Sequence, residues 1–278
     1  QDFSANHFHI TDMLSFEIIV ADDASPDKRF IIKNRTISNL DGVRYIEREQ
    51  NVGRSAIRNY LVSQSSKEWI LFIDGDLSLN NAKFIHNYLK AEGDVIVGGI
   101  SIVENEKRWG NNLRYHYEHS SKEAISAENR RKTPYQHLST NFIANRKLIG
   151  KNPYNEDIKQ YGFEDVLLGK RFKALNAKIN HIDNPVLFND FELNAVFLCK
   201  TEEALRTLST FQTELKGYSN LLKITGKLQK MHISWIGVWL YKFLHKPLKH
   251  NLKGNNPSVF LFNIYKLLYF LHYNSIRK

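Results

Sequence analysis

The 278-residue sequence contains a single cysteine, Cys199. One thiol cannot close an intramolecular bridge, so a disulfide-framed secreted scaffold is excluded and a reducing compartment is compatible. No secretory leader pattern is present, and no uninterrupted apolar run reaches the roughly 20 residues a membrane-spanning helix needs. Internal repeats and low-complexity blocks are also lacking. The most telling absence is of acid. After Glu214 there is no Asp or Glu, while 11 of the 39 Lys and Arg residues lie there. The other 28 basic residues face 29 acidic ones, so the formal net charge of +10 belongs to the tail. A roughly neutral body with a basic tail is a signal about partners rather than about fold.

The rest is ordinary for a globular chain: 42% hydrophobic and 24% charged, enough for one large domain or a domain with an appendage. Residues 16–21 (FEIIVA) are apolar and β-branched and predict a strand, ended by the loop 22–27. Residues 43–47 predict a second strand, 51–53 a turn and 54–63 a helix. The apolar run 69–73 predicts a third strand, residues 80–91 a helix and 94–102 another strand. This alternation implies an α/β fold with a mostly parallel sheet and helices on both faces. Further along, the pattern predicts a strand over 137–144, a helix over 164–175 and an extended stretch over 179–188. A helix over 201–217 is expected, with Thr201 as its cap and Glu202 and Glu203 in its first turn.

Asp74-Gly75-Asp76 follows the third strand directly. In open α/β sheets ligands bind at the C-terminal ends of strands. Residues i and i+2 of an extended segment point the same way, so Asp74 and Asp76 can converge on one cation. Carboxylate oxygens suit Mg²⁺ or Mn²⁺, which in turn suit a diphosphate. Alone the tripeptide is an acidic turn, which is common.

Four segments in order are more specific: FEIIVADDAS, EQNVGRSAIRNYL, WILFIDGD and YGFEDVLLGKRF. Over roughly residues 16–200 the chain resembles the inverting, nucleotide-sugar-dependent glycosyltransferases of family 2, which have the GT-A fold. The resemblance implies that Asp23, with Asp22 as second candidate, holds the nucleobase or ribose of the donor. It implies that Asn51 and Gly53 shape the donor-side turn and that Arg58 lies near the nucleotide. Asp74 would face the ribose, Asp76 would ligate Mn²⁺ or Mg²⁺, and Asp165 would be the catalytic base. His181 is a further candidate metal ligand, equally readable as a structural histidine, and Phe188 stands where some relatives have another histidine. Glu164, Trp109 and Asn141 are acceptor-side candidates; Trp109 and Tyr135 could stack on a sugar, but single aromatics are more often packing residues. A first strand upstream of Phe16, usual in the family, is expected to be missing from this chain.

The chemistry asks for such groups. Direct displacement at an anomeric carbon needs a carboxylate to take the acceptor hydroxyl's proton. The departing nucleoside diphosphate gains charge that a divalent metal stabilises. A sugar nucleotidyltransferase is the second enzyme reading, but no glycine-rich basic phosphate loop is present. A carbohydrate- or membrane-binding scaffold without turnover is the non-enzyme reading, and the acidic set Asp23, Asp74, Asp76 and Asp165 argues against it.

The expected organisation is a glycosyltransferase domain over 1–214 and a basic, amphipathic helical tail over 215–278. In the tail Trp235, Trp239, Tyr241 and Phe243 lie among Lys242, Lys246 and Lys249. Asn256 and Pro257 signal a second helix, whose apolar stretch 259–271 fits either a helix lying in a membrane interface or one packed on the body. Aromatics with lysines and no acids suit an anionic membrane surface. The expectation is therefore a cytoplasmic enzyme, peripheral at the inner membrane face, acting on a glycan or lipid-linked acceptor in surface polysaccharide synthesis. Nucleic acid is not an expected partner, because the apolar residues cluster too densely for a solvated groove.

Overall fold

A computed structural model describes residues 14–277. The expectation about a first strand upstream of Phe16 lies outside the described residues.

β1 (Ile18–Asp22) runs parallel to β2 (Val43–Glu47), with Ile18 opposite Val43 and Asp22 opposite Glu47. Between them lies α1 (Lys28–Arg35), capped by Asp27, whose side chain accepts from the Arg29 N–H. α2 (Arg54–Gln64) follows β2 and leads to β3 (Trp69–Phe72). α3 (Phe84–Leu89) is shorter than expected.

A four-stranded sheet forms the centre, in the order β3, β6 (Phe142–Asn145), β4 (Val95–Val97), β7 (Ile179–His181). β6 is antiparallel to both β3 and β4, whereas β4 and β7 are parallel. The third sheet pairs β5 (Ile100–Ile102) with β8 (Val186–Phe188) in parallel. Most pairings are thus parallel, as expected, with β6 as the exception. Phe72 and Val97 both sit opposite Phe142, and Val97 opposite His181. The C-terminal ends of β3, β4 and β7 therefore share one end of the sheet.

The expected single strand over 94–102 is two strands, broken at Gly98-Gly99. A Cβ on Gly98 would lie 2.5 Å from the Tyr88 hydroxyl, and Gly99 has φ +88° with the Arg130 guanidinium against its Cα. Only glycine fits such approaches. The stretch 179–188 divides likewise into β7 and β8.

Phe72, Phe142, Leu138, Leu168 and Phe172 fill the central core, with Phe72 and Phe142 stacked at 4.8 Å. α8 (Glu164–Ala174) contributes its buried face there. α4 (Glu106–Trp109), α5 (Leu113–Ser120), α6 (Ala127–Arg131) and α7 (Arg146–Ile149) are short connectors.

α9 spans Asn194–Thr210, so the helix expected over 201–217 starts earlier. Thr201 is not its cap; the hydroxyl donates to the Phe197 carbonyl within the helix. α10 (Asn220–Lys230), α11 (Ser234–Lys253) and α12 (Val259–Ile276) form the C-terminal region. Leu248 and Leu252 of α11 and Phe262, Tyr265 and Leu268 of α12 share a buried cluster with Leu113, Phe197 and Leu198. The stretch 259–271 thus packs on the body. Among the described residues no helix is long and apolar enough to cross a membrane.

Candidate active site

The loop that leaves the C-terminal end of β3 carries the first acidic segment, Asp74-Gly75-Asp76. β3 ends at Phe72, whose carbonyl accepts from the Asn141 N–H at 2.7 Å. Two residues on, the Asp74 N–H donates to Thr140 Oγ1 at 2.9 Å. The chain then turns, with the Leu77 N–H facing the Asp74 carbonyl at 3.4 Å. The extended geometry expected for Asp74 and Asp76 is therefore a turn, and its bend rather than strand alternation sets where the two carboxylates point. Asp76 and Gly75 are exposed. The space a Gly75 Cβ would occupy is open.

Arg58 organises the interior side of this turn. Its Nη2 donates to Asp74 Oδ1 at 2.7 Å and to the Ser139 carbonyl at 3.0 Å, and its Nη1 donates to Glu164 Oε1 at 3.0 Å. The guanidinium is buried and lies 5.3 Å from the centre of the Tyr154 ring. Burial works against its charge, but Tyr154, Asp74 and Glu164 outweigh that and hold its pKa above the ordinary arginine value. One turn earlier, Arg54 approaches Glu164 Oε1 at 3.5 Å and Asp74 Oδ2 at 4.0 Å while lying over the Tyr161 ring. Spacing of i and i+4 puts both arginines on one face of α2. The resemblance had put Arg58 beside the nucleotide; here its donors go to the protein's own oxygens. Arg54, which sequence reasoning passed over, is the more exposed cation. Helical spacing was the only signal for it.

Glu164 and Asp165 open α8. The two residues before them, Gly162 (φ +100°) and Phe163 (φ +70°), are left-handed. Phe163 carries a side chain in a region costly for bulky residues, which ties this entry to its surroundings. Glu164 is buried on the Arg58 side. The Asp165 carboxyl is pushed up to about 6, first by burial and then by neighbouring Glu164, with Arg58 and backbone N–H groups opposing. A carboxyl with that value changes charge near the pH at which a general base is most effective.

On the other flank, both Asp23 oxygens accept from backbone. Oδ1 lies 3.1 Å from the Val52 nitrogen and Oδ2 lies 3.0 Å from the Gly53 nitrogen. Asn51 Nδ2 donates to the Asp23 carbonyl at 2.9 Å. Gly53 has φ +85°, and a Cβ there would lie 3.0 Å from the Lys159 carbonyl. Asp23, Asn51 and Gly53 thus form one joint between the ends of β1 and β2. Asp22 closes a turn by accepting from the Ser25 N–H at 2.7 Å.

The remaining candidates sit elsewhere. Asn141, expected on the acceptor side, is corrected by its burial: it is fully enclosed at φ +53°. Its Nδ2 donates to the Gly99 and Asn184 carbonyls, and Tyr88 donates to its Oδ1, so its side chain joins strand ends. Trp109 packs edge-on against Phe191 at 5.2 Å, and Tyr135 donates to the Ala177 carbonyl, both in packing roles. Phe188 belongs to the cluster that includes Phe191. His181 is buried, with Nε2 2.9 Å from the Pro134 carbonyl. Burial first, then Arg130, His137 and Arg131, lowers its pKa to about 4 against the opposing Pro134 bond. His181 does not gather with Asp74 and Asp76: among the described residues no three His, Cys, Asp or Glu side chains form a metal-binding group. The exposed Asp76 and the open turn do fit a metal whose other ligands come from a diphosphate and water, the usual arrangement for Mg²⁺.

The profile of glycosyl transferase family 2 matches residues 6–151, more than half of the chain. The chain belongs to glycosyl transferase family 2. This family 2 glycosyltransferase is similar to the mannosyltransferase PcManGT from Pyrobaculum calidifontis, solved in complex with GDP-Man and Mn2+. The identity is 13%, the match covers 94% of this chain and 77% of that one, and the TM-score is 0.50. It is also similar to S. aureus TarS 1-349, at 18% identity over 94% of this chain and 82% of that one, with a TM-score of 0.46. The same TarS fragment in complex with UDP-GlcNAc matches at 16% identity, covering 94% and 83%, with a TM-score of 0.46. No curated protein matches the chain. The GT-A fold and glycosyltransferase membership expected from the four segments thus stand.

Proposed function

We propose that this glycosyltransferase moves a sugar, with inversion, from a nucleoside-diphosphate donor to a hydroxyl of a glycan or lipid-linked acceptor. The observation that carries the reading is the Arg58 clamp, which holds the Asp74 turn and the Glu164-Asp165 helix start together beside the C-terminal end of β3. UDP is the donor nucleotide in this reading. PcManGT is solved with GDP-Man, so nucleoside-diphosphate sugars suit the fold.

Asp23, Asn51 and Gly53 shape the nucleoside side, with Asp22 beside them. Asp74 faces the ribose. Asp76 would hold Mn²⁺ or Mg²⁺, which supplies positive charge to the departing diphosphate. Arg54, with its exposed guanidinium, adds charge on the same side. Asp165 takes the proton of the acceptor hydroxyl as that oxygen attacks the anomeric carbon. Glu164, held by Arg58, positions Asp165 by occupying the first helical position beside it. Residues 1–214 are the catalytic unit and 215–278 a basic tail. The setting is surface polysaccharide synthesis at the cytoplasmic face of the inner membrane, supported by the acid-free tail.

Calorimetry of UDP with Mn²⁺, on the wild type and on Asp76→Asn, tests this. Metal-dependent binding that is lost in Asp76→Asn is the expected result. Absence of binding in the wild type with either metal would sink the UDP reading.

A further inference from the structure

α11 has two faces of opposite character. Leu240, Tyr241, Leu248 and Leu252 turn toward α9 and α12. On the other face Trp235, Trp239 and Phe243 recur every fourth residue and are 65%, 54% and 62% exposed. Trp239 and Phe243 touch, with ring centres 4.7 Å apart. Lys242 and Lys246 are exposed beside them. Lys249, on the flank, is paired with Glu202 at 2.8 Å, whereas Lys242 and Lys246 have no carboxylate partner among the described residues. From Trp235 to Lys246 the row spans about 16 Å at 1.5 Å per residue.

We propose that this ridge is the surface on which the protein lies on an anionic lipid bilayer, with the three rings among the headgroups and the two ammonium groups on lipid phosphates. The proposal deepens the membrane placement above and rests on it, but it names a different helix from the one the apolar run suggested. α12 is the more apolar sequence, yet it spends Phe262, Tyr265, Leu268, Phe270 and Leu271 on the core. α11 is less apolar and leaves Trp235, Trp239 and Phe243 outside.

Three observations select this occupant. A row of exposed rings exceeds the scattered apolar residues of an ordinary surface. Tryptophan combines an apolar body with an N–H that the headgroup layer satisfies. The unpaired lysines in an acid-free stretch add attraction to anionic headgroups, worth about 1 kcal/mol each near such a surface. A second copy of this chain would bring the same positive face and be repelled. A single-stranded nucleic acid would meet a convex ridge rather than a groove that tracks its backbone.

The test is flotation of the full chain with phosphatidylcholine vesicles, with and without phosphatidylglycerol, together with tryptophan emission. The wild type is expected to float with the anionic vesicles only, with a blue shift. Two variants are compared, Trp235→Ala/Trp239→Ala/Phe243→Ala and Lys242→Glu/Lys246→Glu. Each is expected to lower partitioning about tenfold or more while keeping the wild-type melting temperature. Wild-type flotation by both variants, equal binding to neutral vesicles, ring-dependent dimers in solution, or tighter binding of a single-stranded oligonucleotide would each overturn the proposal. UDP and Mn²⁺ binding measured without vesicles separates the two readings. Flotation without nucleotide binding sinks the UDP reading alone, and nucleotide binding without flotation sinks the ridge alone.

Discussion

The active-site region and the C-terminal helices treat charge in opposite ways. Around the end of β3, two arginines of α2 meet two carboxylates, and the Arg58–Glu164 pair is screened from water. Along α11 the charges are exposed and lack carboxylate partners apart from Lys249. Buried charge must be paired or it is costly, so each member of the first set fixes the position of the others. Exposed unpaired charge costs little in water and remains available to something outside the molecule. Internal neutrality marks where the protein holds its own parts in place, and external excess is the charge on which the proposed membrane face rests.

The sharpest way to break the contrast is Arg58→Ala. It leaves Glu164 buried without its nearer cation and Asp74 without its partner, and is expected to cost about 3–5 kcal/mol, read as a large fall in denaturation midpoint. A loss below about 1 kcal/mol would mean that water or Arg54 neutralises both acids and that the clamp is slack.

A subtler probe acts on one charge. Asp165→Asn removes a carboxyl whose pKa in the folded protein is raised to about 6. A raised acid pKa means that ionising the group opposes folding. The wild type therefore loses stability relative to the variant as pH rises from about 4 to about 6, and the difference stays constant above that, at about 1–3 kcal/mol. Activity moves the other way. Turnover by the wild type is expected to rise through about pH 6 as the base ionises, and Asp165→Asn should lower kcat about 100-fold or more with that limb gone. A pH profile flat across this range in the wild type would remove Asp165 from the role of base.

The smallest stability effect belongs to the other region. Lys242→Gln with Lys246→Gln should change stability by less than about 0.5 kcal/mol, since neither ammonium has a partner to lose. A larger loss in thermal melting would place these lysines in the fold and dissolve the contrast.

Local pattern reached some of this arrangement and missed the rest for identifiable reasons. β2 was legible to the residue because the alternating stretch 43–47 lies between turn signals. The entry of α8 was legible because an acidic first turn, Glu164-Asp165, opens a run of helical spacing. α9 was misread because Thr201, followed by two glutamates, imitates a helix cap while standing in mid-helix. The break at Gly98-Gly99 was hidden because the apolar run continues through it; the reason for the break is Tyr88 and Arg130, distant in sequence. The acidic turn was recognised, but its shape was taken from strand alternation that stops at Phe72. Periodicity likewise gives a helix face and not what meets it, so the pairing of Arg58 with Asp74 and Glu164, 16 and 106 residues away, was not legible. Both apolar helices of the tail were visible, and only packing shows which of them keeps its rings outside.

The shared cation has a further consequence, in how this site can be altered. Asp74 and Glu164 do not touch each other through sequence or secondary structure, yet each is paired with the same guanidinium. Substitutions at Arg58, Asp74 and Glu164 are therefore strongly epistatic: a change tolerated at one position depends on what occupies the other two. The turn after β3 and the start of α8 form a single unit of inheritance, and a variant that exchanges one of them is viable only if it carries the matching α2.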